Sequence, residues 1–135
     1  MYFLDYIEKN SFLLHNRPQV YQHGDYHTGN MMYTNGELYI IDFDRCDYGD
    51  PWEEFVRIIF TAETSVPFAC GQLHGYFGGE PPMEFFRLLA LYLAGNQLGA
   101  IGWARRFNEM DSSRALSAKV LHWYDNMRSV VPPWY

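Results

Sequence analysis

The chain has few lysines, few cysteines and no long apolar run, and each shortage argues against a class of protein. Lys9 and Lys119 are its two lysines and its net charge is −6, so it lacks the basic stripe that binds nucleic-acid phosphates. No apolar run reaches about 18 residues, the length that a membrane-spanning helix needs. The N-terminus lacks the basic flank and apolar block of a secretory signal. We therefore expect a soluble cytoplasmic protein with no nucleic-acid and no membrane partner.

The two cysteines, Cys46 and Cys70, have no metal-binding spacing such as C-x-x-C. We expect both to be free thiols of a reducing compartment rather than a disulfide. The composition is 48% hydrophobic and 19% aromatic over 135 residues, enough to bury a core. The sequence therefore predicts a single domain, residues 1–135.

Periodicity predicts an α+β fold that is mainly helical. Apolar residues recur at helical spacing in four segments and again after Ser112 or Ser113, the four segments being 2–14, 51–63, 67–77 and 83–99. The last of these is apolar all round its axis, which predicts a buried central helix. A short strand is expected over 19–22, and the proline-containing tail 130–135 should be irregular.

Asn35-Gly36 is the strongest short-range signal for a two-residue hairpin turn. It predicts strands over 31–34 and 37–41, with Thr34 opposite Glu37. In that register one face of the hairpin is wholly apolar, and we expect it to lie on the core; its members are Met31, Tyr33, Leu38 and Ile40.

Acidic residues are concentrated between His23 and Glu54. This segment has eight acids and one base, a net charge of −7, so the rest of the chain is close to neutral. Carboxylates held close together repel unless cations or hydrogen-bond donors compensate them. We therefore expect a cation to bind here, and a cationic substrate to be attracted to the same region.

The stretch from His23 to Asn30 has the layout H-x-D-x-x-x-x-N, in which an aspartate orients a substrate hydroxyl and accepts its proton while an asparagine binds magnesium. The hairpin brings Ile41 opposite Asn30, so Asp42 begins the next loop beside that ligand. Strict pairing would point Asp42 to the opposite face. For the Asp42 carboxylate to lie on the same side as Asn30, the chain must leave strand geometry after Ile41. Gly29 makes such a departure plausible.

A helix start follows at Asp50-Pro51-Trp52-Glu53. Asp50 is placed as N-cap, Pro51 at the first helical position and Glu53 for a capping box.

Three ordered motifs, H-G-D-x-H-x-x-N, I-D-F and G-D-P-x-x-[D/E], span residues 22–55 and resemble those of the aminoglycoside phosphotransferase and choline kinase family, relatives of the protein kinases. The helical remainder is similar to the C-terminal lobe of that family, with a small hairpin next to the catalytic loop. The resemblance implies transfer of the γ-phosphoryl group of ATP or GTP, with Mg²⁺, to a hydroxyl of a small molecule such as an aminoglycoside or an amino alcohol. An aminoglycoside acceptor would imply antibiotic resistance.

Carried over onto this sequence, the resemblance makes Asp25 the catalytic base. Asn30 and Asp42 become the magnesium ligands, and through the metal they hold the nucleotide.

The same resemblance gives five residues supporting positions. His23 would be a structural residue of the catalytic loop, and Glu54, where the family usually has Asp, would brace that loop from the helix. The remaining supporting residues are His27, Asp44 and Asp50.

No glycine-rich phosphate loop and no V-A-I-K lysine occur in the chain, and 22 residues precede His23. We therefore expect the nucleotide-binding N-terminal lobe to be absent and the isolated chain to be inactive or weakly active. The surface left by that lobe would favour self-association.

Two other functions stay open at this point. The chain could be a non-catalytic remnant or binding module that keeps the fold. The spacing His23-x-Asp25-x-His27 could also bind zinc or manganese as part of a metal-dependent hydrolase. Simpler structural alternatives exist for single residues, since Asp25 could cap a turn and Asp50 could be a solvated cap.

Overall fold

A computed structural model describes residues 1–135 and shows an α+β chain that is mainly helical, as predicted. Its elements in chain order are α1 (Tyr2–Asn10), β1 (Val20–Gln22), β2 (Met31–Thr34), β3 (Glu37–Ile40), β4 (Asp47–Gly49), α2 (Ile58–Thr64), α3 (Val66–Phe77), α4 (Met83–Phe107) and α5 (Met110–Trp123). Short 3₁₀ helices cover Ser11–Leu14, Thr28–Asn30 and Glu53–Arg57. No helix has the length and apolar character needed to span a membrane.

The residues form two compact units. Residues 1–15, 82–133 and 135 make up the first, which we call the helical unit. Residues 16–81 and 134 make up the second, the motif unit, which contains all three sequence motifs. The prediction of a single domain stays a prediction.

The helical unit is organised around α4, against which α1 and α5 pack. The buried residues of its first half surround the axis, as the apolar sequence predicts; they include Phe85, Phe86, Leu88, Leu89 and Leu93. The helix continues beyond the predicted end near Gly99 and stops at Asn108, whose φ of 58° is left-handed, a common way for a helix to end.

The chain after α5 contains no further helix or strand, as predicted for the tail. It is nevertheless well packed, because Tyr124 is fully buried and Met127 nearly so. Burial raises the pKa of the Tyr124 hydroxyl well above its usual value, and the neighbouring Tyr6 raises it further. The segment directly after α5, as far as Met127, is therefore part of the core of the helical unit.

The motif unit contains two antiparallel strand pairs, β1 with β4 and β2 with β3. The second pair is the predicted hairpin, and its register is confirmed: Thr34 lies opposite Glu37, and Met31 lies opposite Ile40. Strand β4 was not predicted. Its three residues pair with β1 at the entrance to the His23 loop, Gln22 lying opposite Asp47.

The prediction that one apolar face of the hairpin lies on the core is wrong. Tyr33 is 76% exposed and Leu38 is 48% exposed, while Met31 and Ile40 are half-buried. The pleat determines which residues share a face, but not whether another layer covers that face. The buried core of the motif unit comes instead from α2, α3 and the turn before them, with Phe55, Ile58, Ile59, Ala62, Ala69 and Leu73 as its apolar members.

The helix predicted over 51–63 is divided into a 3₁₀ segment followed by α2. The backbone N–H of Trp52 donates to Oδ1 of Asp50 at 2.9 Å, so Asp50 caps the turn before the 3₁₀ segment, whose own N-cap position is Trp52. Burial raises the pKa of the Glu53 carboxyl, and the nearby side chain of Gln22 opposes the rise. The 3₁₀ segment that begins at Glu53 has no side-chain cap, so the predicted capping box is not observed.

Asp50 is more than a solvated cap, since it is 2% exposed and its two carboxylate oxygens accept hydrogen bonds from Nε and Nη2 of Arg17 at 2.5 and 3.0 Å. The guanidinium also lies over the Trp52 ring, 4.0 Å from its centroid. A buried carboxylate is tolerated when it is paired and hydrogen-bonded in this way. The pair links the chain before β1 to the turn that precedes the 3₁₀ segment Glu53–Arg57.

Removal of the cation from this pair should be costly. We expect Arg17→Met to lower the free energy of unfolding by about 3–5 kcal/mol, because it leaves an uncompensated buried charge at Asp50. Urea unfolding followed by circular dichroism measures the change. Arg114→Met is the matched control, since Arg114 faces Asp111 in an exposed pair and its loss should cost at most about 0.5 kcal/mol. Equal effects of the two substitutions would contradict a buried ion pair.

Candidate functional site

The loop from His23 to Asn30 connects β1 to β2 and is held by its own backbone. It ends in the 3₁₀ turn Thr28–Asn30, where the N–H of Asn30 donates to the carbonyl of His27 at 2.9 Å. We call this stretch the H-G-D loop. The segment after β3, residues 41–46, lies beside it and we call it the I-D-F segment.

Gly24 is where the two segments come closest. A Cβ at this position would lie 2.0 Å from the carbonyl oxygen of Arg45, and the φ of Gly24 is +80°. Both conditions exclude a side chain, because the left-handed conformation is unfavourable for other residues and the space is already filled. The glycine of the motif is thus explained by packing of the loop on the I-D-F segment.

Glu54 holds the same loop from the other direction. Its Oε2 accepts the backbone N–H of His23 at 2.6 Å, and its Oε1 accepts the N–H of Gly24 at 3.0 Å. Hydrogen bonds to an ionised acceptor are among the stronger ones in proteins. The contacts are those of a residue that braces the loop from the helical segment, although its part in catalysis stays a prediction.

The ring of His23 connects the two segments through both nitrogens. Nδ1 accepts the backbone N–H of Asp25 at 3.2 Å, and Nε2 lies 2.8 Å from the carbonyl oxygen of Ile41. Because a carbonyl can only accept and Nδ1 accepts from Asp25, these two contacts fit the tautomer that has its hydrogen on Nε2. The ring also packs against Phe43, with centroids 4.4 Å apart. His23 therefore has a structural position in the loop.

Asp25, the predicted base, is partly buried, with 23% of its side chain exposed. Its Oδ1 lies 3.1 Å from Nε of Arg57. Its Oδ2 accepts a hydrogen bond from Nδ2 of Asn30 at 3.3 Å and lies 3.5 Å from Nε2 of His27. Three side chains thus fix one carboxylate, which is more than a turn cap needs.

Arg57 is the residue of this cluster that the sequence interpretation missed. It is 20% exposed, and its contact with Asp25 is an ion pair rather than an aligned hydrogen bond. Burial lowers the pKa of Arg57, the carboxylate of Asp25 opposes that shift, and the positive charge of Arg45 adds to it. A charged residue inside the apolar run from Phe55 to Phe60 was the available signal.

Asn30 is buried, and its amide nitrogen donates twice to Asp25, to the backbone carbonyl at 3.0 Å and to Oδ2. Its Oδ1 is then the atom left to bind a cation. An amide oxygen is the hard ligand that Mg²⁺ prefers.

Asp42 follows directly on the hairpin. The N–H of Ile41 donates to the carbonyl of Asn30 at 3.0 Å, which extends the strand pairing as predicted. Strand β3 ends at Ile40 and Asp42 has a φ of 65°, so the chain leaves strand geometry where convergence required it. Gly29 is not the cause; its Cβ would lie 2.6 Å from the His27 ring, so that glycine provides room for the ring.

The carboxylate of Asp42 is exposed, as is that of Asp44. The exposed carboxylate of Asp42 is open to solvent, and its role as a magnesium ligand stays a prediction. Asp44 makes no ion pair or hydrogen bond, so nothing in its surroundings indicates a supporting role and that role stays a prediction.

His27 and Asp50 complete the set of predicted residues. Nδ1 of His27 accepts the N–H of Gly29 at 3.0 Å, so the ring directs Nε2 towards Asp25. Asp50 pairs with Arg17, as described above, and lies just before the 3₁₀ segment Glu53–Arg57, which contains Glu54. The structure therefore brings together His23, Asp25, His27, Asn30 and Glu54 in one network.

The ligand set required by a zinc or manganese hydrolase is not formed. No group of three or more His, Cys, Asp and Glu side chains is placed to hold a metal ion. Both ring nitrogens of His23 contact the backbone, and Nδ1 of His27 does too. The geometry gives this alternative no support.

Comparison with known proteins identifies the family of the chain. The family model described as "Phosphotransferase enzyme family" matches residues 4–86, more than half of the chain, and the chain therefore belongs to the phosphotransferase enzyme family. This confirms the resemblance drawn from the three motifs. No curated protein and no solved structure matches the chain significantly.

The contact at Gly24 can be tested against a matched glycine. We expect Gly24→Ala to lower the free energy of unfolding by about 1–3 kcal/mol more than Gly36→Ala does, because only the first substitution overpacks the site. Gly36 has nearly the same φ, +82°, with no atom within 4 Å of its Cβ, so it reports the backbone cost alone. Urea unfolding of both variants gives the difference. Equal losses would mean that Arg45 moves away at no cost.

Proposed function

We propose that the chain transfers the γ-phosphoryl group of ATP or GTP to a hydroxyl group of a small molecule, with Asp25 as catalytic base and with Asn30 and Asp42 as ligands of Mg²⁺. The observation that supports this most is the convergence of Arg57, Asn30 and His27 on the Asp25 carboxylate. Family membership supports the general reaction, phosphoryl transfer. The arrangement of the I-D-F and G-D-P motifs around the H-G-D loop is the one expected for a kinase-like catalytic lobe.

In the proposed reaction Asp25 orients the acceptor hydroxyl. Its Oδ1 is directed to Arg57, which leaves Oδ2, on the side of Asn30 and His27, to accept the hydroxyl proton. A bond forms between the hydroxyl oxygen and the γ-phosphorus while the bond to the leaving nucleoside diphosphate breaks, and the proton passes to the carboxylate. Bound Mg²⁺ would neutralise charge on the phosphates. Catalysis of this kind depends on positioning and on charge stabilisation.

Arg57 has two effects in this proposal. Its positive charge lies beside the partly buried carboxylate of Asp25 and compensates part of that negative charge. Its position restricts the carboxylate to one orientation, so little rearrangement is needed when the acceptor arrives. Arginine retains its charge in proteins even when burial lowers its pKa.

The acceptor that we propose is a cationic hydroxyl compound, an aminosugar or an amino alcohol. The excess of carboxylates between His23 and Glu54 supports this choice, because a negative field raises the local concentration of cations. Asp42 and Asp44 remain exposed and contribute to that field. A bound metal ion would neutralise part of it.

A phosphoryl-transfer assay tests the proposal. Labelled ATP and GTP are offered with Mg²⁺ and with aminosugars or amino alcohols, each beside its neutral counterpart. The enzyme is the chain itself and, in parallel, the chain extended by any coding sequence that continues in frame upstream of Met1. We expect transfer to amines above transfer to the neutral compounds. Preference for neutral sugars would overturn the acceptor class, and no transfer by either form to any acceptor would overturn the function.

In the form that transfers phosphate, Asp25→Asn should lower kcat by about a hundredfold or more, as loss of a general base does. Asp111→Asn is the control, since Asp111 is fully exposed on α5 and its loss should leave turnover unchanged. Near-normal kcat in Asp25→Asn would remove Asp25 from the mechanism.

Magnesium should bind mainly together with nucleotide, because Mg²⁺ is usually held by one or two protein oxygens plus phosphates and water. Paramagnetic Mn²⁺ in its place allows a direct readout by nuclear magnetic resonance. We expect Mn²⁺ with ATP to broaden the side-chain amide signals of Asn30, and Mn²⁺ alone to do so only weakly. Asp42→Asn should weaken the effect about tenfold or more, whereas Asp5→Asn, in α1, should not. Broadening that is independent of both nucleotide and Asp42 would contradict the assignment.

A further inference from the structure

The motif unit contains a cleft of about 550 Å³ that does not include Asp25 among its lining residues. This volume lies within the range of small-molecule sites, roughly 300–1,000 Å³. Five of its twelve lining residues are Phe or Tyr, one each from β1, the H-G-D loop, the I-D-F segment, the 3₁₀ segment Glu53–Arg57 and α3, namely Tyr21, Tyr26, Phe43, Phe55 and Tyr76. The cleft therefore resembles a binding site for an organic group more than a site for a phosphate.

One wall of the cleft is formed by Gly71 and Gly75, which are four residues apart on α3 and share a face of that helix. Neither has a positive φ and neither has any atom within 4 Å of the position of a Cβ. Backbone conformation and close packing thus give no reason for glycine, although each glycine in a helix costs about 0.5–1 kcal/mol relative to alanine. Their effect on the structure is to keep this wall open.

Glu54 gives the cleft its charge. It is the one acidic residue that lines the cleft, and no lysine or arginine lines it. Its carboxylate is already fixed by two backbone N–H groups, on His23 and Gly24, and each oxygen retains a lone pair for a further donor. Aromatic faces attract cations as well. The chemistry of the cleft is therefore complementary to a positive group attached to an apolar body.

We propose that this cleft binds a small organic cation, with its ammonium group near the Glu54 carboxylate and its apolar part among the aromatic rings, against the open wall at Gly71 and Gly75. The cleft shares His23 and Glu54 with the network around Asp25, but Asp25, Asn30 and Asp42 do not line it, and the ligand needs no hydroxyl group. Binding here can be measured without any catalytic activity.

Phenethylamine is the probe, and 2-phenylethanol is its neutral counterpart of similar shape. Titrations of the whole chain are followed by the backbone amide signals of Gly71, Gln72 and Gly75. We expect saturable shifts with the amine and at least tenfold weaker binding of the alcohol. Equal binding of both compounds would overturn the cationic class, and shifts that do not saturate would overturn the site.

A substitution that fills the cleft is the second test of the proposal. Gly75→Leu should reduce phenethylamine binding at least tenfold, because the side chain occupies the open wall. Gly99→Leu is the matched control: Gly99 is also an exposed helical glycine with open space at its Cβ, on α4 in the helical unit. Both variants replace glycine with a strong helix former and should remain folded, which circular dichroism checks. Unchanged binding in Gly75→Leu, or an equal loss in Gly99→Leu, would overturn the proposal.

Discussion

The arrangement of the site depends on the hydrogen bonds that the backbone of the H-G-D loop donates to the Glu54 carboxylate. One side chain satisfies the N–H groups of His23 and Gly24, and a hydrogen bond to a charged group contributes about 1.5–3 kcal/mol. Gly24 is thereby held against Arg45, at a distance that only glycine allows. With the loop fixed at its first two residues, the ring of His23 connects Asp25 to the end of the hairpin. Each later contact uses a backbone that is already in place.

The excess of negative charge in this region is compensated from outside it. The segment from His23 to Glu54 has one base for eight acids, but two arginines that lie outside the segment reach into it. Arg17 pairs with Asp50 and Arg57 pairs with Asp25. These two arginines thus supply part of the positive charge that the acidic segment was expected to require. The acids of the I-D-F segment, Asp42 and Asp44, are exposed, so the remaining negative charge lies where a bound cation would meet it.

The sequence predicted what local chemistry determines. Asn35-Gly36 gave the turn type and hence the register of the whole hairpin, and the departure from strand geometry at Asp42 followed from the need to turn that side chain. Features that depend on distant segments were not predictable in this way. The pairing of β1 with β4, the exposure of Tyr33 and the ion pair between Arg57 and Asp25 each depend on which surfaces meet in three dimensions. Spacing along one strand or helix contains no information on that.

The two aspartates of the proposed centre differ in how far the protein fixes them. Asp25 is held by Arg57, Asn30 and His27, so the proposed base is oriented before any ligand arrives. Asp42 has an unfavourable left-handed backbone and an exposed carboxylate. Backbone strain of this kind costs about 1–3 kcal/mol and persists when the surroundings determine it, here the strand pairing through Ile41. A rigid base and an exposed carboxylate suit a reaction in which the metal arrives with the nucleotide, because the incoming phosphates then complete a coordination shell that the protein alone leaves open.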